Sequence, residues 1–362
     1  MQTDMAAAAL TENRAAEVFL ERACGIIDAG AQAVMLSLGH RTGLFDAMAG
    51  HPPSTSAEIA ERAGLAERYV REWLAVMVTA AIVAFEPKAG RYHLPDAHAA
   101  CLTRDAPLGN VAVYAQTVAM IGAAEERLQQ CFATGEGTTY ADYPCFHAFM
   151  AEDSGQTVVA HLFDVLLPLV DGLTARLAAG IDVLDAGCGR GQALIAMAEA
   201  FPASRFTGYD LCDDAIQDAR HAAAGVDNLR FFTKDLSNFD EQERYDLVTS
   251  FDAVHDQKDP AGLVAGIHGA LRSGGVYLMQ DIGGSAHLQN NLDFPMASLL
   301  YAISCAHCTP VSIGQGGEGL GTMWGWETAD AMLRGGGFGS VERHVLPHDP
   351  MNVWFVARRD AA

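Results

Sequence analysis

Apolar positions along this chain recur with two different periods. From Asn13 to Gly39 they fall at helical spacing, at Val18, Phe19, Ile26, Ile27, Val34, Met35 and Leu38, which predicts a helix pair with little polar surface. Residues 1–12 read as a loose tail. Helical patterning returns over 96–150, broken by the Gly- and Tyr-rich stretch 134–143, and again from Gln156 to Ala179. Beyond that point short apolar runs alternate with helical stretches: a strand ending at Val183-Leu184, then Arg205–Tyr209, Leu229–Thr233, Tyr245–Ser250 and Gly275–Gln280. Apolar runs of this length between helices suit strands buried on both faces of a parallel sheet. A helix over Trp326–Arg334 and two final strands, Ser340–Leu346 and Asn352–Ala357, complete the pattern. The division expected is a mainly helical domain over 1–150 and an α/β domain over 151–362.

Thr42 to Leu94 reads as a winged helix. Gly43–Met48 is a short helix, Ser56–Ala63 a second with Ser56 as its N-cap and Gly64 as its stop, and Glu67–Ala81 a third. Ile82–Glu86 and Arg91–Leu94 flank a turn and form the wing. A DNA reader would present basic or amide side chains on the third helix. Here Glu67 and Glu72 sit beside Arg68 and Arg71, which favours a structural wing.

Charge sharpens this. The formal net charge is −22 over 362 residues, and the basic residues are scattered, so a nucleic-acid partner is not expected. No apolar run reads as a membrane span and no basic segment precedes one at the N-terminus, so no membrane partner is expected either. Eight cysteines, scattered rather than framed as a disulfide scaffold, fit a cytoplasmic setting.

Three glycines, Gly187, Gly189 and Gly191, follow Asp185 between the first strand of the α/β region and the helix starting at Gln192. They allow a sharp turn and close approach of backbone to a ligand. Acids follow the next two strands, Asp210 and Asp235, and Phe251-Asp-Ala-Val-His-Asp256 follows the fourth. The ordered set resembles the class I S-adenosylmethionine (SAM) methyltransferases. With the winged helix it resembles in particular the plant-type and bacterial small-molecule O-methyltransferases, over roughly residues 15–360. That resemblance implies a Rossmann-like seven-stranded sheet, SAM as cofactor with SAH as product, and an N-terminal dimerisation domain. It places Asp185, Gly187, Gly189, Asp210, Leu211, Asp235, Leu236, Ser250 and Phe251 around the cofactor, with Asp210 on the ribose hydroxyls and Asp235 on the adenine amino group. Whether the apolar N-terminal helices pack within the chain or on a second copy in a homodimer is open from sequence.

The same resemblance puts His255 where the plant enzymes have a general base, and an ordinary pKa near 6.5 leaves such a histidine mostly neutral at pH 7. The chain departs from the plant pattern at Gln257, where they have tryptophan, and at Thr322–Gly325, where they have the glutamate that orients the base; Glu318 lies nearby in sequence. His255 is therefore either a base or a pocket wall. Tyr143, Phe146, His147, Met150, His307 and Trp324 are candidates for the acceptor pocket, or for plain inter-helix packing. Cys305, His307 and Cys308 are too few for a metal site without a fourth ligand, and no metal is expected. The activity implied is methyl transfer to a small molecule, through a hydroxyl first of all; transfer to N or S without a base, a SAM-binding winged-helix regulator and an inactive scaffold are the alternatives.

Overall fold

The computed structural model describes residues 2–361, with side chains from residue 13 onward. The chain divides into compact units at 1–119 and 120–362, earlier than the 150/151 boundary expected. In the first unit a single helix, α1 (Gln2–Arg41), replaces the expected pair, because nothing between Asn13 and Gly39 breaks it. It begins inside the stretch read as a loose tail; the side chains of residues 1–12 lie outside those described. Phe19 is 67% and Ile27 74% exposed, so the apolar stripe is not buried within the unit. The helices α2 (Leu44–Met48), α3 (Ser56–Ala63) and α4 (Glu67–Thr79) and the hairpin β1 (Ala84–Glu86) and β2 (Arg91–His93) form the expected winged helix, followed by α5 (Asp96–Leu102). Its core is Phe45, Ile59, Leu74, Met77 and Leu94. The N-cap of α3 is Thr55, not Ser56: its side chain accepts from Glu58 N while the Glu58 carboxylate accepts from Thr55 N, a reciprocal capping box. On α4, Arg68 pairs with Glu72 and Arg71 with Glu67.

The second unit takes up most of α6 (Ala115–Thr134) and then α7 (Phe146–Thr157). The helix expected over Gln156–Ala179 is broken into short turns, including a π-turn at Leu162–Leu166, before α8 (Leu173–Ala179). Pro168 lacks the amide a continuous helix needs, and Gly172 turns left-handed at φ 70°. The rest alternates as the patterning predicts: β3 (Asp182–Ala186), α9 (Gln192–Ala200), β4 (Arg205–Asp210), α10 (Asp213–Ala222), β5 (Leu229–Thr233), β6 (Tyr245–Phe251), α11 (Pro260–Ala270) and β7 (Leu271–Ile282). Then come α12 (Ala297–Ile303), a π-turn (Ser304–Cys308), α13 (Thr309–Gly314), α14 (Trp326–Gly335), β8 (Ser340–Leu346) and β9 (Asp349–Arg358).

The seven strands order β5-β4-β3-β6-β7-β9-β8, parallel except for β9, which runs antiparallel to both neighbours. Successive residues face opposite sides, so Val183, Leu247, Val276 and Leu278 pack with Leu194 and Met197 of α9. Leu184, Val248 and Tyr277 pack with Leu263 and Ile267 of α11 on the other side. Strand β7 is longer than expected and includes Asp281; an irregularity in register between Tyr245 and Leu247 of β6 absorbs the Arg272–Gly275 stretch.

One expectation is corrected by the segment Ala297–Gly314: it is long and apolar enough to span a membrane by length and composition. Cys308 and Val311 within it are buried in the unit's interior, as in the core helix of many folded domains.

Candidate active site

The C-terminal ends of β3 to β6 open into a cavity within the second unit. This is where an open α/β sheet leaves its ligand crevice. The glycine loop forms one wall. Gly187 N and Cys188 N both donate to Tyr209 O, which ties the loop to β4. Gly191 takes φ 70°, and a Cβ there would sit 2.3 Å from Phe231 Cζ, so strand packing requires glycine. Gly189 also has a positive φ, 50°, but no atom lies within 4 Å of where its Cβ would be. Its bare backbone lines the cavity.

The acids stand around this loop. Asp210 is fixed at both oxygens, accepting from Gly189 N at 2.8 Å and Cys212 N at 2.9 Å. Burial raises its pKa and those two amides oppose the rise. Asp185 is buried, and its pKa is pushed up to about 7, mainly by burial and also by Asp210, against the Thr249 hydroxyl, which donates to it at 2.8 Å. Asp235 accepts from Ser237 N at 2.8 Å, which holds its carboxyl below the usual range. Leu211, Leu236 and Phe251 also line the cavity. Ser250 does not: strand alternation turns it into the sheet, where its hydroxyl bonds the Tyr277 hydroxyl at 2.6 Å.

Phe146, His147 and Met150 reach the cavity from α7. Tyr143 does not; it is buried, bonding Thr138 Oγ1 at 2.8 Å and donating to Ala306 O at 2.7 Å. His307 packs behind the wall, stacked on Phe146 with ring centroids 4.2 Å apart, and burial lowers its pKa to about 3, so it is neutral. Tyr140, missed in the sequence, lines the cavity and donates to Asp256 Oδ2 at 2.8 Å.

His255 lies just behind the cavity wall, while Asp252 and Asp256 on either side of it line the cavity. Its Nδ1 donates to Asp281 Oδ1 at 2.8 Å, and its Nε2 lies 3.2 Å from Cys308 Sγ. No acid partner for His255 was evident in the sequence; Asp281 holds its ring, and Trp324 donates from Nε1 to the same oxygen at 2.9 Å. The rule that strand ends face the crevice finds Asp281 once β7 is given its full length. Burial alone would lower the His255 pKa, but the Asp281 carboxylate overrides it and holds the ring well above 6.5. Burial keeps Cys308 a neutral thiol, so the charge that holds the imidazolium is Asp281. This corrects the expectation of a histidine mostly neutral at pH 7.

Asp252, His255 and Asp281 bring ligand-type atoms within 4.8 Å of one another, but His255 Nδ1 and Asp281 Oδ1 are engaged with each other. In the soft-ligand run Cys305 is exposed while His307 and Cys308 are buried.

Residues 177–329 match the family model described as a methyltransferase domain, and residues 30–104 match that of the Rv2258c-like winged HTH domain. Residues 177–329 are thus a methyltransferase domain. The winged helix precedes it, as the patterning predicted. Among curated relatives, malonyl-[acyl-carrier protein] O-methyltransferase 2 of Ilyobacter polytropus is 25% identical over 108 residues, 30% of this chain and 42% of that protein. The chain thus spans less than half the length of that relative. The fold is shared with human N-acetylserotonin methyltransferase in complex with SAM, at TM-score 0.67 and 15% identity, covering 94% of this chain and 98% of that one. It is shared too with an O-methyltransferase family protein from Burkholderia thailandensis, at TM-score 0.62 and 17% identity, covering 95% of this chain and 98% of the other.

Proposed function

We propose that this methyltransferase moves the methyl group of SAM to a small-molecule acceptor, a hydroxyl in the first instance. The observation that carries the reading is Gly189 with its bare, positive-φ backbone beside three acids, Asp185, Asp210 and Asp235, at successive strand ends around one cavity. SAM supplies an activated methyl on a sulfonium. The chain's part is to hold, orient and exclude water. Asp210, pinned by two amides, keeps lone pairs for the ribose hydroxyls. Asp235 stays ionised and turns its second oxygen to the adenine amino group. Phe146, His147 and Met150 cover the acceptor side.

His255 is the proposed base. It can take a proton only after losing the one that Asp281 stabilises, and only if Cys308 yields Nε2. Those two demands give specific support to a second reading, transfer to N or S with no base. A DNA-binding regulator gains no support, because the arginines of α4 are paired with its own glutamates. We further propose a cytoplasmic homodimer, assembled through the exposed apolar side chains of α1, with 1–150 serving assembly and the acceptor lid and 151–362 the cofactor.

Calorimetry tests the cofactor. SAH should bind the wild-type protein, and Asp210→Ala should weaken it by about 2 kcal/mol or more, the cost of stranding partners of a charged group. Unchanged affinity in the variant would overturn the assignment.

A further inference from the structure

Two carboxylates on the cavity wall are left over once the cofactor residues are placed. Asp252 and Asp256 follow β6 and are four residues apart, and each has one buried oxygen, Oδ1, with no hydrogen-bond partner. Asp256 is only 5% exposed. Its other oxygen accepts from Tyr140. Asp252 is held at φ 53°, in the left-handed region that a residue with a Cβ seldom adopts, and its backbone amide donates to Gln280 O at 3.0 Å. Backbone strain of this kind persists where the surrounding structure over-determines it, as at ligand sites.

A buried carboxylate oxygen without a donor costs free energy, so native structures rarely keep one without a reason. The nearest positive side chain, His255, has its Nδ1 3.8 Å from Asp252 Oδ1, beyond hydrogen-bond reach, and donates to Asp281 instead. Burial raises the pKa of both; His255 is the largest charge opposing it, while Asp281 acts with burial on both, Asp153 and Asp256 on Asp252, and Asp210 on Asp256. Arg190 and Lys234 share the cavity wall, but Arg190 pairs with Asp218 at 2.8 Å and Lys234 with Glu241 at 2.8 Å. The same wall carries the rings of Tyr140 and Phe146, with centroids 5.4 Å apart, among aliphatic and amide side chains. Aromatic rings and carboxylates on one wall favour a cationic nitrogen over a neutral or anionic group.

We propose that Asp252 and Asp256 seat a positively charged nitrogen of the methyl acceptor, so that the substrate class is a small molecule bearing a protonated amine. This rests on the methyltransferase reading and deepens it. The amine is the handle by which the acceptor is held; the atom that receives the methyl is a separate one, since a protonated nitrogen has no free electron pair.

The probes are tyramine and p-ethylphenol, matched in ring and chain length and differing in the amine. Each is titrated by calorimetry into the full-length protein saturated with SAH. Tyramine should bind about tenfold or more tighter than p-ethylphenol, the range for a charge-assisted hydrogen bond. Asp256→Asn and Asp252→Asn should each reduce that preference to about twofold or less while SAH affinity stays within about twofold. Asp256→Glu, which keeps the charge, should retain the preference and controls for misfolding. Equal binding of the two probes, or none by either, overturns the inference and leaves the cofactor reading standing. A loss of SAH and SAM affinity in the Asn variants as large as the loss of tyramine binding assigns the pair to the cofactor's own cation and also overturns it. Failure of the wild-type protein to bind SAH removes both readings.

Discussion

Replacing Asp281 by Asn tests the buried charge at the centre of the site. Asp281 Oδ1 accepts from His255 Nδ1, Trp324 Nε1 and Ile282 N, at 2.8, 2.9 and 2.8 Å. An Asn carbonyl can keep all three, so the substitution removes charge and not geometry. Charge-assisted bonds exceed neutral ones by about 1–2 kcal/mol. The new amide nitrogen falls where Oδ2 now stands, buried without a partner, and an unmet donor there costs about 1–3 kcal/mol more. The expected loss is about 2–5 kcal/mol, at the low end if the amide finds an acceptor.

Its pH dependence is the sharper test. The folded His255 pKa lies above the ordinary value, so its contribution is full below about 6.5 and is lost as pH rises through the folded pKa. The stability gap between wild type and Asp281→Asn should therefore be widest in mild acid and narrow toward alkaline pH. Urea titrations at several pH values measure the gap. Nitrogen NMR of the His255 ring follows its proton directly, and should show the titration move down in the variant. A gap independent of pH, or a wild-type His255 that titrates at or below its ordinary value, would refute the argument.

Two further outcomes follow from the same geometry. If His255 is the base, His255→Ala should lower turnover on a hydroxyl acceptor by roughly 10²–10⁴-fold with SAH affinity unchanged, and the wild-type rate should rise with pH above 6.5, the ordinary histidine value; full activity in the variant refutes the base alone. Light scattering should give a dimer mass for the wild-type protein and a monomer for the double variant Phe19→Glu, Ile27→Glu, and a wild-type monomer at micromolar concentration would end the assembly proposal.

What could be read from sequence is what is encoded locally. Gly187, Gly189 and Gly191 sit between a strand and a helix, and Asp210 and Asp235 sit at strand ends, so short windows suffice to place them. Side chains that meet across the fold escaped. Trp324 and Asp281 are 43 residues apart and His255 and Cys308 are 53 apart, and only the folded packing unites each pair. Tyr143 and Ser250 were misplaced for a related reason: each carries a hydroxyl that could face a ligand, but each finds a buried partner first. Strand alternation already argues against Ser250, since Thr249 beside it turns toward Asp185.

The electrostatics of the cavity also explain why its acids do not simply repel the fold apart. Asp185, Asp210, Asp252 and Asp256 all have pKa values raised with burial as the leading cause. Burial favours the uncharged form of each, which relieves the repulsion, while the His255 imidazolium opposes that rise at Asp252 and Asp256. A positive ligand reverses the balance, because each carboxyl that ionises beside it gains an attraction water does not screen. The site is thus organised to be less charged alone than in company. His255 follows the opposite logic: it keeps its proton because Asp281 is always there. Cofactor and acceptor can change the state of the first group, whereas His255 gives up its proton only as pH rises through its raised folded pKa.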